Sequence, residues 1–233
     1  MKINKSIKYL KYHFIKNFSN YKSLNGIDKK LLKYINYKNG YFVELGANDG
    51  INQSNTYYFE KKLDWMGILI EPILHNYLNC VSNRSKRNKY HCKACVSFEY
   101  KEEIVPLYWA NLMTTSLAKN LKTFNVDSHL SEKTEFKYGS KGFIKIGAEA
   151  ATLTSILVES DAPRLIDLLS LDVEGDEIQV LSGLDHSVFR FRYIVVESRN
   201  FEEISKLLQS QGYHFVEALT HHDYLFKDAL NQY

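Results

Sequence analysis

Residues 41–50 of the chain read Tyr-Phe-Val-Glu-Leu-Gly-Ala-Asn-Asp-Gly. The short apolar run predicts a buried parallel strand, and the glycines after it predict a tight binding turn at the carboxyl end of that strand. Glu44 and Asp49 flank Gly46 and Gly50, and no Lys or Arg lies between them. Loops that hold a pyrophosphate present bare N–H groups and a helix N-terminus, and two carboxylates there would repel it. The loop therefore favours a cationic ligand that carries no phosphate.

A second acid extends this argument. Glu71 follows Gly50 by 21 residues and ends the next predicted strand, at 66–71. A carboxylate in that place binds the ribose hydroxyls of an adenosine ligand. An acid there also suits the dipole of the helix that follows Pro72, but the upstream loop favours the ligand. Adenosine with a cationic, phosphate-free tail describes S-adenosylmethionine, which we expect as the cofactor.

Strands and helices alternate along most of the chain, which is typical of a doubly wound α/β fold with a mostly parallel sheet. The turn at 221–223 predicts a closing hairpin, which would add an antiparallel strand. Gly183 is predicted to stop a helix in the left-handed conformation, and Asn200 with Glu203 forms a capping-box pattern. The predicted strands are 41–45, 66–71, 90–97, 104–109, 143–149, 165–172, 193–197, 213–219 and 224–227, and the predicted helices are 56–63, 73–82, 153–159, 176–182 and 200–212.

The bulk composition predicts one folded domain. The chain has 233 residues, of which 45% are hydrophobic, and only three are prolines. We expect a basic helical extension at 1–40 and a catalytic domain at 41–233. The polar stretch at about 98–150 is too long for an ordinary loop, so we interpret it as an insertion on the substrate side.

Charge is concentrated at the beginning of the chain. Residues 1–40 contain ten lysines and one acid, Asp28, and apolar residues recur there at helical spacing, at Ile3, Ile7, Leu10, Phe14 and Phe18. Such a helix packs its apolar stripe on the domain or lies peripherally on an anionic membrane. The stripe is short and has no Arg or Trp, which favours packing. No nucleic-acid recognition motif accompanies the lysines, and no nucleic-acid partner is expected.

The cysteines and the hydropathy predict a cytoplasmic protein. The three cysteines, Cys80, Cys92 and Cys95, are too few for a disulfide framework and fit a reducing compartment. Cys92 and Cys95 with His91 resemble half of a zinc site, but no second pair completes it, and packing in a strand is the better interpretation. No apolar run of membrane-spanning length and no signal-peptide pattern occurs.

Several carboxylates end predicted strands, where open α/β sheets bind their ligands. Asp172 and Glu174 emerge from an apolar strand into a glycine turn, where they suit a general base, a divalent metal or the cationic end of a cofactor. Mg²⁺ or Mn²⁺ held by Asp172, Glu174 and Glu197 is one alternative. His221 and His222 lie at the tip of the final hairpin, and either is a candidate base.

With these residues in place, the chain is similar to the FkbM family of S-adenosylmethionine-dependent methyltransferases. The resemblance covers residues 40–228 approximately, and its most specific stretch is the run of acids and glycines after the strand at 165–172. The matching stretches are FVELGANDGINQSNT at 42–56, GILIEP at 67–72, TLTSIL at 152–157, IDLLSLDVEGDEIQVLSGL at 166–184, YIVVES at 193–198 and DYLF at 223–226.

The resemblance implies a class I methyltransferase fold, in which a seven-stranded sheet has helices on both faces. It also implies transfer of the methyl group to a hydroxyl, chiefly on sugars and glycans. Asp172 and Glu174 would then face the transferred methyl, with His221 or His222 as further catalytic candidates. The implied cofactor contacts are Glu44, Gly46, Ala47, Asn48, Asp49, Gly50, Ser54, Asn55, Glu71, Pro72, Cys95, Val96 and Asp172.

Two other classes of function remain open at this stage. The first is a protein that binds S-adenosylmethionine, or a partner, with a methyltransferase fold but no turnover. The second is an NAD-dependent oxidoreductase, although the Gly46–Gly50 loop lacks the usual glycine spacing and carries Asp49 where pyrophosphate would lie. The sequence does not specify the acceptor, the methylated position or the oligomeric state.

Overall fold

The computed structural model describes residues 20–110, 113–116 and 144–230. This part of the chain contains eleven strands and six α-helices. The strands are β1 (Tyr41–Leu45), β2 (Met66–Ile70), β3 (Lys89–His91), β4 (Lys93–Val96), β5 (Ile104–Ala110), β6 (Met113–Ser116), β7 (Ile144–Thr152), β8 (Leu165–Leu171), β9 (Arg190–Glu197), β10 (Tyr213–Ala218) and β11 (Asp223–Asp228). The helices are α1 (Ile27–Leu31), α2 (Tyr57–Leu63), α3 (Leu74–Asn83), α4 (Leu153–Glu159), α5 (Glu177–Leu181) and α6 (Phe201–Ser210), with a short 3₁₀ turn at Leu24–Gly26.

Seven strands form the main sheet, in the order β10-β11-β9-β8-β1-β2-β3. β1 lies at its centre and pairs in parallel with β2 on one side and β8 on the other. β11 is antiparallel to both β9 and β10, as the closing hairpin predicts. The molecule is thus an α/β protein with a seven-stranded, mostly parallel, Rossmann-like sheet, and the predicted fold class is confirmed.

The two faces of the sheet are buried under different helices. Successive residues of a strand point to opposite faces, so Val43 packs on one side of the sheet and Phe42 on the other. The Val43 face is covered by apolar residues of α4, α5 and α6, such as Ile156, Val180 and Ile204. The Phe42 face is covered by α1, α2 and α3. Burial on both faces explains why these strands read as continuous apolar runs in the sequence.

The prediction of a single strand at 90–97 is wrong. β3 ends at His91, which pairs with Ile70, the last residue of β2. After Cys92 the chain enters β4, which leaves the main sheet and pairs with β7 from Lys93 to Val96. The two strands are separated only by Cys92 and no glycine or proline marks a break between them, so the sequence does not reveal that they belong to different sheets.

β4 belongs to a second sheet of four strands, in the order β4-β7-β5-β6. The predicted strands at 104–109 and 143–149 correspond to β5 and β7. β6 lies between them, where no strand was predicted. β7 is antiparallel to β5, and it ends where α4 begins. This sheet therefore forms the described part of the predicted insertion, and residues 117–143 lie outside the described residues.

Local signals at two helix ends have different outcomes. The Asn200 side chain accepts a hydrogen bond from the Glu203 N–H at 3.3 Å, which confirms Asn200 as the N-cap. The Glu203 carboxylate accepts from the Asn200 side-chain amide at 2.8 Å rather than from the Asn200 backbone N–H of a full capping box. Gly183 does not adopt the predicted left-handed conformation. A Cβ atom there would lie 2.0 Å from the carbonyl oxygen of Val96. Close approach to β4, rather than backbone dihedrals, requires glycine at this position.

The basic N-terminal region is only partly within the described residues. Ile27 and Leu31 of α1, with Ile35 beyond it, are buried against the Phe42 face of the sheet. Residues 20–40 therefore pack on the domain rather than standing apart from it. The apolar stripe from Ile3 to Phe18 lies outside the described residues.

Candidate active site

A cavity opens at the carboxyl edge of the main sheet. It encloses about 1120 Å³, counting the part that is open to solvent. The ends of β1, β2 and β8 contribute Gly46, Glu71 and Asp172 to its wall. In open α/β sheets this edge is where ligands bind, so the cavity lies where the fold places a ligand.

Glu71 is fixed at one side of the cavity by backbone donors. One carboxylate oxygen accepts from the Asn48 N–H and the other from the Ile73 N–H, each at 2.9 Å. The side chain of Asn76 donates a further hydrogen bond. Burial raises the pKa of Glu71, and these hydrogen bonds oppose the shift. A carboxylate held in this way presents fixed acceptors to a ligand, as recognition of a ribose diol requires.

The glycine turn after β1 lies beside Glu71. Gly46 has a φ of +76°, and a Cβ atom there would lie 1.9 Å from the carbonyl oxygen of Asp172, so only glycine fits. Gly46 and Asn48 line the cavity. Asp49 accepts the backbone N–H groups of Ile51 and Asn52, which closes the loop. Asp49, Ala47 and Gly50 thus shape the turn without belonging to the cavity wall.

Glu44 has a different environment from the one the sequence suggests. Its carboxylate accepts hydrogen bonds from the Ser54 hydroxyl at 2.9 Å, the Asn55 N–H at 2.8 Å and the Thr56 hydroxyl at 2.6 Å. Arg84 forms an ion pair with it at 3.2 Å. The Asn55 amide also donates to Ser170 at 3.0 Å. Glu44, Ser54 and Asn55 therefore form a buried network behind the loop and do not line the cavity.

Acids gather on the opposite side of the cavity from Glu71. Asp172 and Glu174 line this wall, and their place at the reaction face stays a prediction. The pKa of Asp172 is raised well above its usual range, because the group is buried and lies close to Glu197 and Glu174, with a hydrogen bond to the Glu197 side chain. Asp223, opposite Glu197 in the sheet, adds to the effect. Asp172 therefore binds a proton more readily than an ordinary aspartate.

The hairpin histidines are not brought to the cavity wall. His221 and His222 are both exposed in the turn between β10 and β11. The backbone of His222 accepts from the Ser198 N–H at 2.7 Å and holds the turn to the end of β9. The turn lies at the ligand-binding edge of the sheet, and a base role for either side chain stays a prediction.

The second sheet supplies the remaining wall of the cavity. Cys95 and Val96 of β4 line it, as does Pro72 after β2. Burial raises the pKa of the Cys95 thiol to about 12, so this sulfur behaves as an apolar group. The sequence did not point to the apolar side chains of β5 or to several amides, although it predicted a strand at 104–109. The lining residues that the sequence analysis missed include Val105, Leu107, Asn52, Gln53, Asn76, Gln179, Lys93, Tyr100 and Asp176.

Metal-ligating groups, cysteines and the hydropathy of the helices were also compared with the sequence predictions. Within the described ranges, no group of three or more His, Cys, Asp or Glu side chains is arranged to hold a metal ion. All three cysteines are free. In the same ranges, no helix combines the length and hydropathy needed to cross a membrane.

Comparison with known proteins relates this cavity to one family. The family model described as the methyltransferase FkbM domain matches residues 44–215, which is well over half of the chain. The matched range contains the glycine turn, Glu71 and the acids at 172–174. The comparison with curated proteins gave no match.

Among solved structures, similarity is distant. The precorrin-6y C5,15-methyltransferase from Geobacter metallireducens GS-15 is 9% identical, with a TM-score of 0.44, over 87% of this chain and 86% of that one. A fibrillarin/Nop5p complex gives 10% identity and a TM-score of 0.43, over 91% and 83%. The pyocyanin biosynthetic protein PhzM gives 11% and 0.41, over 87% of this chain and 54% of that one. Scores this low bear on neither ligand nor activity.

Proposed function

The chain belongs to the FkbM methyltransferase family, and we propose that it transfers a methyl group from S-adenosylmethionine to a hydroxyl of a sugar or glycan. The family and the fold make it an S-adenosylmethionine-dependent methyltransferase. One observation supports the site assignment most. A single cavity has Glu71 in one part of its wall and Asp172 in another, with the Gly46 turn between the two strand ends.

The residues of the cavity fit the chemistry of this cofactor. Glu71 offers carboxylate oxygens to the ribose hydroxyls, and the apolar side chains of Ile70 and Val96 suit the adenine ring. Asp172 and Glu174 place negative charge where the cationic methionine part would lie. When bound, S-adenosylmethionine supplies a methyl group already activated on a sulfonium. The protein then has to align an acceptor and accept a proton.

We propose that the carboxyl pair of Asp172 and Glu197 accepts the proton that the acceptor hydroxyl loses. A neutral sugar hydroxyl is a weak nucleophile and needs a base as its oxygen attacks. The two side chains are hydrogen-bonded, and the raised pKa of Asp172 makes this group, when ionised, a stronger base than an ordinary carboxylate. In the transfer the O–H and S–CH₃ bonds break, the O–CH₃ bond forms, and the proton passes to Asp172. Glu174 is the second candidate on the same wall.

The cavity wall also favours an uncharged, hydroxyl-rich acceptor. Amide side chains both donate and accept hydrogen bonds, which matches the hydroxyls of a sugar. Glu71, Asp172 and Glu174 disfavour an acceptor with a phosphate near the reacting oxygen. The amides on the wall are Asn48, Asn52, Gln53, Asn76 and Gln179.

An acceptor screen tests this proposal. The protein is incubated with S-adenosylmethionine and neutral sugars or glycans, with sugar phosphates and amines as comparison sets, and S-adenosylhomocysteine is quantified by mass spectrometry. We expect turnover with neutral hydroxyl acceptors and a fall in kcat of about 100-fold or more in Asp172→Asn. Turnover confined to amines would overturn the O-methyl assignment. Full activity in EDTA would remove the metal alternative, and cofactor binding without turnover across the screen would favour a binding protein.

A further inference from the structure

Arg84 is the most deeply buried cation in the described part of the chain that the proposed reaction does not use. It follows the last residue of α3, and its side chain has 0% exposure. The guanidinium pairs with Glu60 at 2.8 Å and with Glu44 at 3.2 Å. Burial lowers the pKa of Arg84, but the two carboxylates outweigh it and leave the pKa raised. The guanidinium is therefore a permanent cation that is fully buried in the protein.

The other hydrogen bonds of Arg84, from Nη2 and from the Nη1 that also pairs with Glu44, reach the segment between β1 and α2. Their acceptors are the carbonyl oxygen of Gly50 at 3.0 Å, the Ser54 hydroxyl at 3.1 Å and the Thr56 hydroxyl at 2.9 Å. Through Glu44, the same cation is linked to the Asn55 N–H. Arg84 therefore contacts this segment near its middle and near its end.

The residues of this segment that line the cavity are not the ones that Arg84 touches. Gly46, Asn48, Asn52 and Gln53 line the cavity, whereas the contacts of Arg84 lie between and behind them. A Cβ atom on Gly50 would lie 2.7 Å from the Arg84 Cγ, which shows how closely the loop packs on this side chain. The cation supports the cavity wall from the side opposite the ligand.

Residues before and after α3 hold the loop at two places. Before the helix, Glu71 accepts the Asn48 N–H. At the end of the helix, Asn83 donates to the carbonyl oxygen of Asp49 at 2.9 Å, beside the contact of Arg84 with Gly50. The segment 71–84 thus links the proposed ribose acceptor to the support of the glycine loop.

We propose that Arg84 is a positioning residue for cofactor binding, which holds the segment 46–56 in the conformation that lines the cavity. It touches neither cofactor nor acceptor. Lysine keeps the charge but cannot reproduce the planar fork of donors, so the loop would lose several of its contacts while the buried carboxylates keep a cation. Misplaced loop groups then weaken cofactor binding, while the reacting groups on the Asp172 wall stay in place.

Arg190 is the matched control. It also forms an ion pair, with Asp228, and it donates to the carbonyl oxygen of Gln211 at 2.7 Å. It begins β9, so it lies at the edge of the sheet opposite the cavity. Arg190→Lys therefore disturbs a comparable network without touching the loop.

The test is titration calorimetry with S-adenosylhomocysteine, beside thermal denaturation of each variant. We expect Arg84→Lys to weaken binding about tenfold or more, and to raise KM for S-adenosylmethionine while kcat stays within about threefold. Arg190→Lys should lower Tm and leave affinity within about twofold. Equal affinity in Arg84→Lys and wild type would overturn the proposal. If Arg84→Lys does not fold, Thr56→Val removes the hydroxyl that accepts from Arg84 and donates to Glu44. This variant should weaken binding about threefold, and unchanged affinity there would contradict the proposal.

The proposal rests on the proposed function, but the two fail in different ways. Calorimetry requires no acceptor. A wild-type protein that does not bind S-adenosylhomocysteine refutes the cofactor assignment itself. A wild type that binds, with an Arg84→Lys variant that binds equally well, refutes only the role of Arg84.

Discussion

At the scale of single residues, two acids with the same predicted role have different environments. Glu71 lines the cavity, and backbone N–H groups hold its carboxylate there. Glu44 is turned away into a network with Arg84. The sequence shows that both acids lie near strand ends. It does not show that Glu44 pairs with Arg84, because the two residues lie 40 positions apart. Glu71 was predictable from its spacing, and the role of Glu44 was not.

Glu71→Gln tests the ribose contact. The variant keeps one oxygen acceptor and places an amide donor where the carboxylate accepts, so it can no longer accept from both hydroxyls of a diol. We expect the affinity for S-adenosylhomocysteine to fall about tenfold, which corresponds to one lost net hydrogen bond of about 1.4 kcal/mol. Glu102→Gln, at an exposed position, should bind as wild type. Unchanged affinity in Glu71→Gln would remove this residue from the site.

His186 gives the fold a dependence on pH. Burial and the nearby Arg190 lower its pKa to about 4, from an ordinary value near 6.5. As pH falls from about 6.5 to about 4, the unfolded chain binds a proton that the native state does not, so the free energy of unfolding falls, by about 3 kcal/mol at most. Above pH 6.5 His186 is neutral in both states, so it does not make the free energy of unfolding depend on pH there.

Urea denaturation at several pH values measures this effect. His186→Gln should flatten the fall in the free energy of unfolding between pH 6.5 and pH 4, because glutamine does not titrate. His214→Gln, at an exposed position, should leave the fall unchanged. The same slope in wild type and His186→Gln would show that other groups account for it.

At the scale of elements, apolar runs predicted most strands because those strands are buried on both faces. The prediction failed at 90–97, where β3 and β4 follow each other almost without a break but enter different sheets. β4 enters the second sheet because it pairs with β7, which lies more than 50 residues away in the sequence. No local pattern encodes that pairing. The short helix α5 and the capping of α6 were predictable because their signals are local.

Gly183→Ala tests the junction between the two sheets. The added methyl group would lie 2.0 Å from the carbonyl oxygen of Val96, so β4 or the end of α5 must move. We expect a loss of about 1–3 kcal/mol in the free energy of unfolding, measured by urea denaturation. Ser182→Ala, which adds no atom, is the control. A Gly183→Ala variant as stable as the control would show that the contact relaxes without cost.

At the scale of the whole molecule, the order of the seven strands places the ends of β1, β2 and β8 side by side. Residues 27–35 of the basic N-terminal region close one face of that sheet, and the second sheet closes the cavity. The fold class followed from the alternation of elements along the chain. The wall formed by the second sheet did not, because Val105 and Leu107 carry no sign of function in their own sequence.

The most direct test of this account is a comparison of S-adenosylhomocysteine with NAD⁺ by thermal shift and calorimetry on the wild-type protein. A ligand that binds only the native state raises its stability by RT ln(1 + [L]/Kd). We predict saturable binding of S-adenosylhomocysteine with a raised Tm, and no shift with NAD⁺, because Asp172 and Glu174 line the wall beside the glycine turn and would repel a pyrophosphate. Stabilisation by NAD⁺ and none by S-adenosylhomocysteine would contradict it.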